Sequence, residues 1–168
     1  MADILYNIPG LERSLVKIGN EDKLGSVFFT YKLAGQLINK FNTSVAYFSL
    51  NGCEEDVQKL LLDCGVTYRF YPVRQNNPDI EVILRKCSAM YGRRFVRAII
   101  IDGLAQLRIK GFKGTREVEK REIEKKLRRL SEGLSIPIIL LCPNEDLDGP
   151  IGNKIDVFEA DIISQLHF

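Results

Sequence analysis

Apolar runs of strand length alternate along the chain with longer stretches in which apolar residues recur every three or four positions. The runs are residues 14–18 (SLVKI), 44–50 (SVAYFSL), 68–73 (YRFYPV), 97–101 (RAIII) and 136–142 (IPIILLC), with 161–166 (DIISQL) as a weaker sixth. Several are apolar without alternation, which is the pattern of parallel strands covered on both faces. The stretches between them read as four helices. The first covers 26–41, after Gly25; the second covers 54–62, with acidic residues in its first turn and Gly65 beyond its end. The third has Asn77 as N-cap and Pro78 at the first helical position. Its Ile80, Ile83, Leu84, Cys87, Met90 and Tyr91 form one stripe, and Gly92 follows its end. The fourth covers 116–134, capped by Thr115, with Ile123, Leu127, Leu130 and Leu134 as its single apolar stripe.

Strand and helix in strict alternation predict an α/β fold: a mainly parallel sheet of five to six strands flanked by helices. In such folds ligands bind at the carboxyl ends of the strands, so the loops after Ile18, Leu50, Ile101 and Cys142 are where chemistry is expected. The first of these loops runs from Gly19 to Ser26, where a phosphate-binding loop would read GxxxxGK[ST]. Gly19 and Ser26 are in register with that motif. Leu24 stands at its second glycine and Gly25 at its lysine, while Glu21 and Asp22 add negative charge where an anion would lie. Leu24 is expected to pack inward and close the pocket. The fourth strand ends in Asp102, an acid placed as a magnesium-holding aspartate would be.

Composition narrows the picture. The 168 residues, 45% apolar and 27% charged, suit a single domain spanning 1–168. The uncharged stretch 133–144 falls short of the ~18 residues a membrane span needs, and the N-terminus lacks the basic start and apolar centre of a secretory signal. A cytoplasmic protein without membrane contact is expected. The four cysteines have no zinc or redox spacing, and the one histidine, His167, leaves no room for a histidine-based triad or metal site. Net charge is +2, unevenly spread: residues 74–135 carry 16 basic and 8 acidic side chains, against 7 and 8 before them and 1 and 6 after. The middle of the chain is therefore a candidate polyanion surface.

From the first strand onward the order of segments resembles the RecA-like motor domain of DnaB-type replicative hexameric helicases. The resemblance rests on TSVAYFSLNG (43–52), AIIIDGLAQL (98–107), the stretch REVEKREIEKKLRRLSEGLSIPIILLCPNEDL (116–147) and FEADIISQLHF (158–168). It implies a RecA-like three-layer fold, and a nucleotide site marked by Gly19, Gly25, Ser26 and Asp102, with Asp102 as the magnesium residue if a nucleotide binds. The departures are catalytic. Asn51 stands where the family has its general-base glutamate, Cys142 and Pro143 where it has a serine and a γ-phosphate-sensing glutamine, and Lys154 is the only cation in the loop that would carry an arginine finger. An arginine finger alone is worth ~10³ to 10⁵ in rate. No N-terminal helicase domain is expected before the motor-like segment.

These departures predict a degenerate, catalytically inactive helicase-like domain that needs no cofactor and binds single-stranded DNA, a replicative helicase or another replication protein, with an oligomer left open. The rival reading is a nucleotide-dependent helicase subunit using ATP and Mg²⁺. The segment 108–116 carries the nucleic-acid expectation: Arg108, Lys110, Lys113 and Arg116 for phosphates and Phe112 for a base, in the place of a loop that faces DNA in the helicases it resembles.

Overall fold

The computed structural model describes residues 15–19, 23–66, 69–74, 78–142 and 153–156. β1 (Leu15–Gly19), α1 (Lys23–Phe41), β2 (Ser44–Ser49), α2 (Glu54–Asp63), β3 (Phe70–Arg74), α3 (Ile80–Arg94) and β4 (Val96–Asp102) alternate without a break. A short 3-10 turn (Leu104–Gln106), α4 (Arg116–Leu134), β5 (Ile138–Cys142) and β6 (Asn153–Asp156) complete the order. The strands form one sheet in the order β3-β2-β4-β5-β1-β6, with every neighbouring pair parallel.

Successive side chains of a strand point to opposite faces, so each central strand feeds two cores. Val16, Ile18, Val45, Tyr47, Ile100 and Leu141 pack beneath α1 and α2. Leu15, Phe48, Ile99, Ile101, Ile138 and Leu140 pack beneath α3 and α4. This double coverage is why the strand sequences do not alternate. Lys17 is the exception: it lies on the α4 side of β1, fully buried, with Nζ 2.8 Å from Glu124 Oε1. Pro72 lacks an N–H and falls on β3, an outermost strand, where one of the two backbone edges has no ladder to complete. No helix among the described residues is long and apolar enough to cross a membrane.

Several element boundaries differ from expectation. α1 begins at Lys23, three residues before Ser26, and β3 covers Phe70–Arg74. The cap of α3 is Asp79, whose carboxylate accepts from the Glu81 N–H at 3.0 Å, and Pro78 lies outside the helix. The cause is tertiary. Arg108 N donates to Pro78 O at 3.0 Å and Ile80 N to Arg108 O at 2.9 Å, which holds residues 78–79 extended. α3 also runs past Gly92 to Arg94 and ends with Phe95 in the left-handed region at φ 52°. Thr115 caps α4 as predicted, accepting from the Val118 N–H at 3.4 Å. The expected strand at 161–166 lies outside the described residues; β6, without an apolar run of its own, pairs with Val16 to Gly19 of β1.

Candidate functional site at the carboxyl edge of the sheet

In register, Arg74, Ser49, Asp102, Leu141 and Ile18 form one row across β3, β2, β4, β5 and β1. Gly19 and Cys142 stand one position beyond it. Asp102 is 2% exposed. Its Oδ2 accepts from the Tyr47 hydroxyl at 2.9 Å and its Oδ1 from the Asn51 side-chain amide at 2.8 Å. Burial, and then the charge of Asp102, push the Tyr47 hydroxyl far above its ordinary pKa, so it remains a donor at every working pH. Both oxygens of the acid therefore face donors of the protein itself.

The backbone closes over the same point. Leu50 N donates to Asp102 O at 2.9 Å, and Gly103 N to Leu141 O at 3.2 Å. Gly103 has φ 106°, and a Cβ there would meet Asn51 Oδ1 and Leu50 Cβ, each at 2.9 Å. Only glycine lets the end of β4 come this close to the β2 loop. A glutamate at position 51 would set a second carboxylate against Asp102, whereas the amide of Asn51 supplies a neutral donor. The nearest following acid, Glu54, does not take that place. Its Oε1 lies 3.4 Å from Arg74 Nε, on the far side of β2 from β4, and its Oε2 is buried without a partner among the described residues.

Gly19 ends β1, and Gly25 and Ser26 lie within the first turn of α1, which contains no acidic residue. The packing expected of Leu24 falls outside the described side chains, as do Glu21 and Asp22. Among the described residues no three His, Cys, Asp or Glu side chains are grouped to hold a metal. Each Asp102 oxygen accepts one hydrogen bond from the protein, so a Mg²⁺ held there would share the carboxylate with Tyr47 and Asn51.

The basic loop divides into two kinds of residue. Arg108 turns back to donate to Ala105 O at 2.6 Å and Leu107 O at 2.8 Å. Arg116 donates to Glu119 Oε2 at 2.7 Å and to Ala105 O at 2.9 Å. Glu119 Oε1 accepts from the Ile109 N–H at 2.6 Å. Burial raises the pKa of Glu119, but the Ile109 N–H and the Arg116 guanidinium outweigh it and hold the carboxyl below its usual range. Lys110 and Lys113 are exposed; Phe112 is half-buried, its ring lying over Gly114, where a Cβ would come within 2.6 Å of it. Tyr47 and Glu119 organise the two loops, and neither role was assigned from sequence. The spacing of Arg116 and Glu119, one helical turn apart, was the one available signal.

Compared by sequence, the chain matches no family model and no curated protein. Compared by structure, it is similar to a solved ATPase domain (TM-score 0.65, 16% identity, 77% of this chain and 57% of that one). It is also similar to a DnaB-like replicative helicase described with its interactions with primase (TM-score 0.64, 16% identity, 77% and 38%). A third is a KaiC-like protein of Pyrococcus horikoshii OT3 (TM-score 0.54, 14% identity, 79% and 62%). The chain thus spans 38% to 62% of the length of these structures, and at such identities what they share with it is the fold: a parallel α/β sheet of the kind found in helicase ATPase domains and KaiC-like proteins.

Proposed function

We propose that this chain is a helicase-related domain that does not hydrolyse nucleotide and acts as a binding module for single-stranded DNA or a replication protein. The observation that carries the reading is the enclosure of Asp102 by Tyr47 and Asn51. Phosphoryl transfer depends on charge stabilisation and on an oriented nucleophile. The acid at the end of β4 is hydrogen-bonded on both oxygens, and position 51 holds an amide that cannot accept a proton at neutral pH. No nucleotide or magnesium is required for such a role. The contact surface in this reading is the exposed Lys110 and Lys113 with the half-buried Phe112 between them, held in shape by Arg108, Arg116 and Glu119.

A second reading, nucleotide binding by a helicase subunit, is favoured by one observation: the acid-free first turn of α1 at the end of β1, whose N–H groups suit an anion. Titration with ATP·Mg²⁺ and with labelled single-stranded DNA separates the two. DNA binding without nucleotide binding supports the module; saturable nucleotide binding with turnover overturns it.

A further inference from the structure

Three helices end at the amino edge of the sheet on a non-glycine residue in the left-handed region: Asn42 (φ 50°), Phe95 (φ 52°) and Ser135 (φ 53°). Asparagine tolerates this conformation, and here its Oδ1 accepts from Arg69. Phe95 has no such compensation: a bulky residue is strained in this region, and Phe95 is 70% exposed. Phe41, at the end of α1, is 48% exposed. Ser44 lies opposite Val96 and Val45 opposite Phe70, so the order along the edge is Arg69, the Phe41 turn and Phe95. Phe41 ends α1 on one face of the sheet, and Phe95 follows α3 on the other.

The surrounding charge is positive. Lys40 Nζ lies 5.7 Å from the centre of the Phe41 ring, and the Arg97 guanidinium 4.7 Å from that of Tyr91. Arg93 is exposed and forms no ion pair among the described residues. Among the described residues the acids toward this edge are Asp63, at the end of α2, and Glu132, held by Arg128 at 3.3 Å. Cations at helix C-termini answer the helix dipole, which accounts for part of the charge. It does not account for two phenyl rings left in solvent, one of them on a strained backbone.

We propose that the α3 side of this amino edge is a second binding surface, taking single-stranded nucleic acid: a base stacks on Phe95 while phosphates meet Arg93 and Arg97. Rings accept any base, and interleaved cations follow the backbone, which is the composition of sequence-tolerant single-strand sites. The surface lies at the opposite end of the strands from the Lys110–Lys113 loop, so it stands or falls independently of the proposed function.

The test is titration of a labelled oligothymidine at low salt with four proteins: wild type, Phe95→Ala, Phe95→Tyr, and the loop double variant Lys110→Ala/Lys113→Ala. Thermal melts confirm that each is folded. The expected result is about 5- to 100-fold weaker binding for Phe95→Ala, the loss of one base stack, and retention by Phe95→Tyr. A loop variant that still binds, together with a weakened Phe95→Ala, supports this surface and removes the loop reading. Unchanged binding by Phe95→Ala overturns the proposal, whatever the loop variant does. Absence of any binding overturns it as well.

Discussion

Lys17 on β1 and Glu124 on α4 meet at 2.8 Å inside the molecule, their side chains 1% and 6% exposed. This pair joins the sheet to the helix between Leu140 of β5 and Lys154 of β6, the residues opposite Lys17 in register. A buried ion pair adds little net stability compared with apolar groups of similar size, but breaking it strands the remaining charge. Lys17→Met alone and Glu124→Leu alone should each lower the unfolding free energy by about 3–5 kcal/mol. The double variant should recover most of that loss. Urea unfolding of the four proteins closes the cycle, and additive losses would show that the two side chains act separately.

Hydrolysis of ATP should stay at background in the wild type and in Asn51→Glu. The added glutamate would face Asp102 rather than a water, and the two carboxylates would repel. Turnover above background that disappears in Asp102→Ala would show the site to be catalytic. Tyr47→Phe leaves Asp102 Oδ2 buried without that donor, a loss of about 1.5–3 kcal/mol of stability, measurable by thermal melts.

Arg108 is exposed but donates to the carbonyls of Ala105 and Leu107, and Arg116 donates to Ala105 and Glu119, so among the described residues Lys110 and Lys113 are the exposed loop cations that no such bond holds. Four cations would give a log–log salt slope near about −3, whereas two phosphate contacts on a single strand give about −1.4. Removing Lys110 or Lys113 should flatten the slope by about 0.7 each. Arg116→Ala acts differently: it frees Ala105 O and Glu119 Oε2, so it should lower stability as well as binding. A salt titration paired with a melt distinguishes contact from support.

Glu119 makes the loop sensitive to acid. Its folded pKa is lowered, so its contribution to stability is complete above the ordinary carboxylate range and is lost as the pH falls through the folded value. Wild type should therefore lose stability more steeply than Glu119→Gln below about pH 4.5, the ordinary glutamate value. Coincident acid-unfolding curves would mean that Glu119 is not the latch of this loop.

The layers and the parallel sheet were legible because β5 and the middles of β2 and β4 are apolar without alternation, as a doubly covered parallel sheet requires. The start of α3 was not. Asn77 and Asp79 are both good caps around Pro78, and the choice falls to the backbone of Arg108, far along the chain. β6 has no pattern to read; what defines it is its parallel pairing with the edge of β1. Asp102 could be placed at the end of its strand, yet its enclosure depends on Tyr47, fifty-five residues earlier, which the sequence presents only as one more aromatic in a strand. Likewise, four cations in nine residues show charge, but not that two of them are engaged by carbonyl oxygens of their own loop.

The left-handed helix ends predict a conflict between stability and binding. Glycine enters this region without the Cβ penalty of about 1–2 kcal/mol, set against its larger chain entropy, so Ser135→Gly should stabilise by about 0.5–1 kcal/mol. Asn42→Gly should gain less, since asparagine tolerates the region and its side chain accepts from Arg69. Phe95→Gly should gain at least as much as Ser135→Gly, because it also removes an exposed ring. Thermal melts give the order. If Phe95→Gly instead destabilises, the ring is held by packing and the strain argument fails. If it stabilises and single-strand affinity falls, residue 95 is a position where stability has been given up for contact with a ligand, as strained residues at functional sites are.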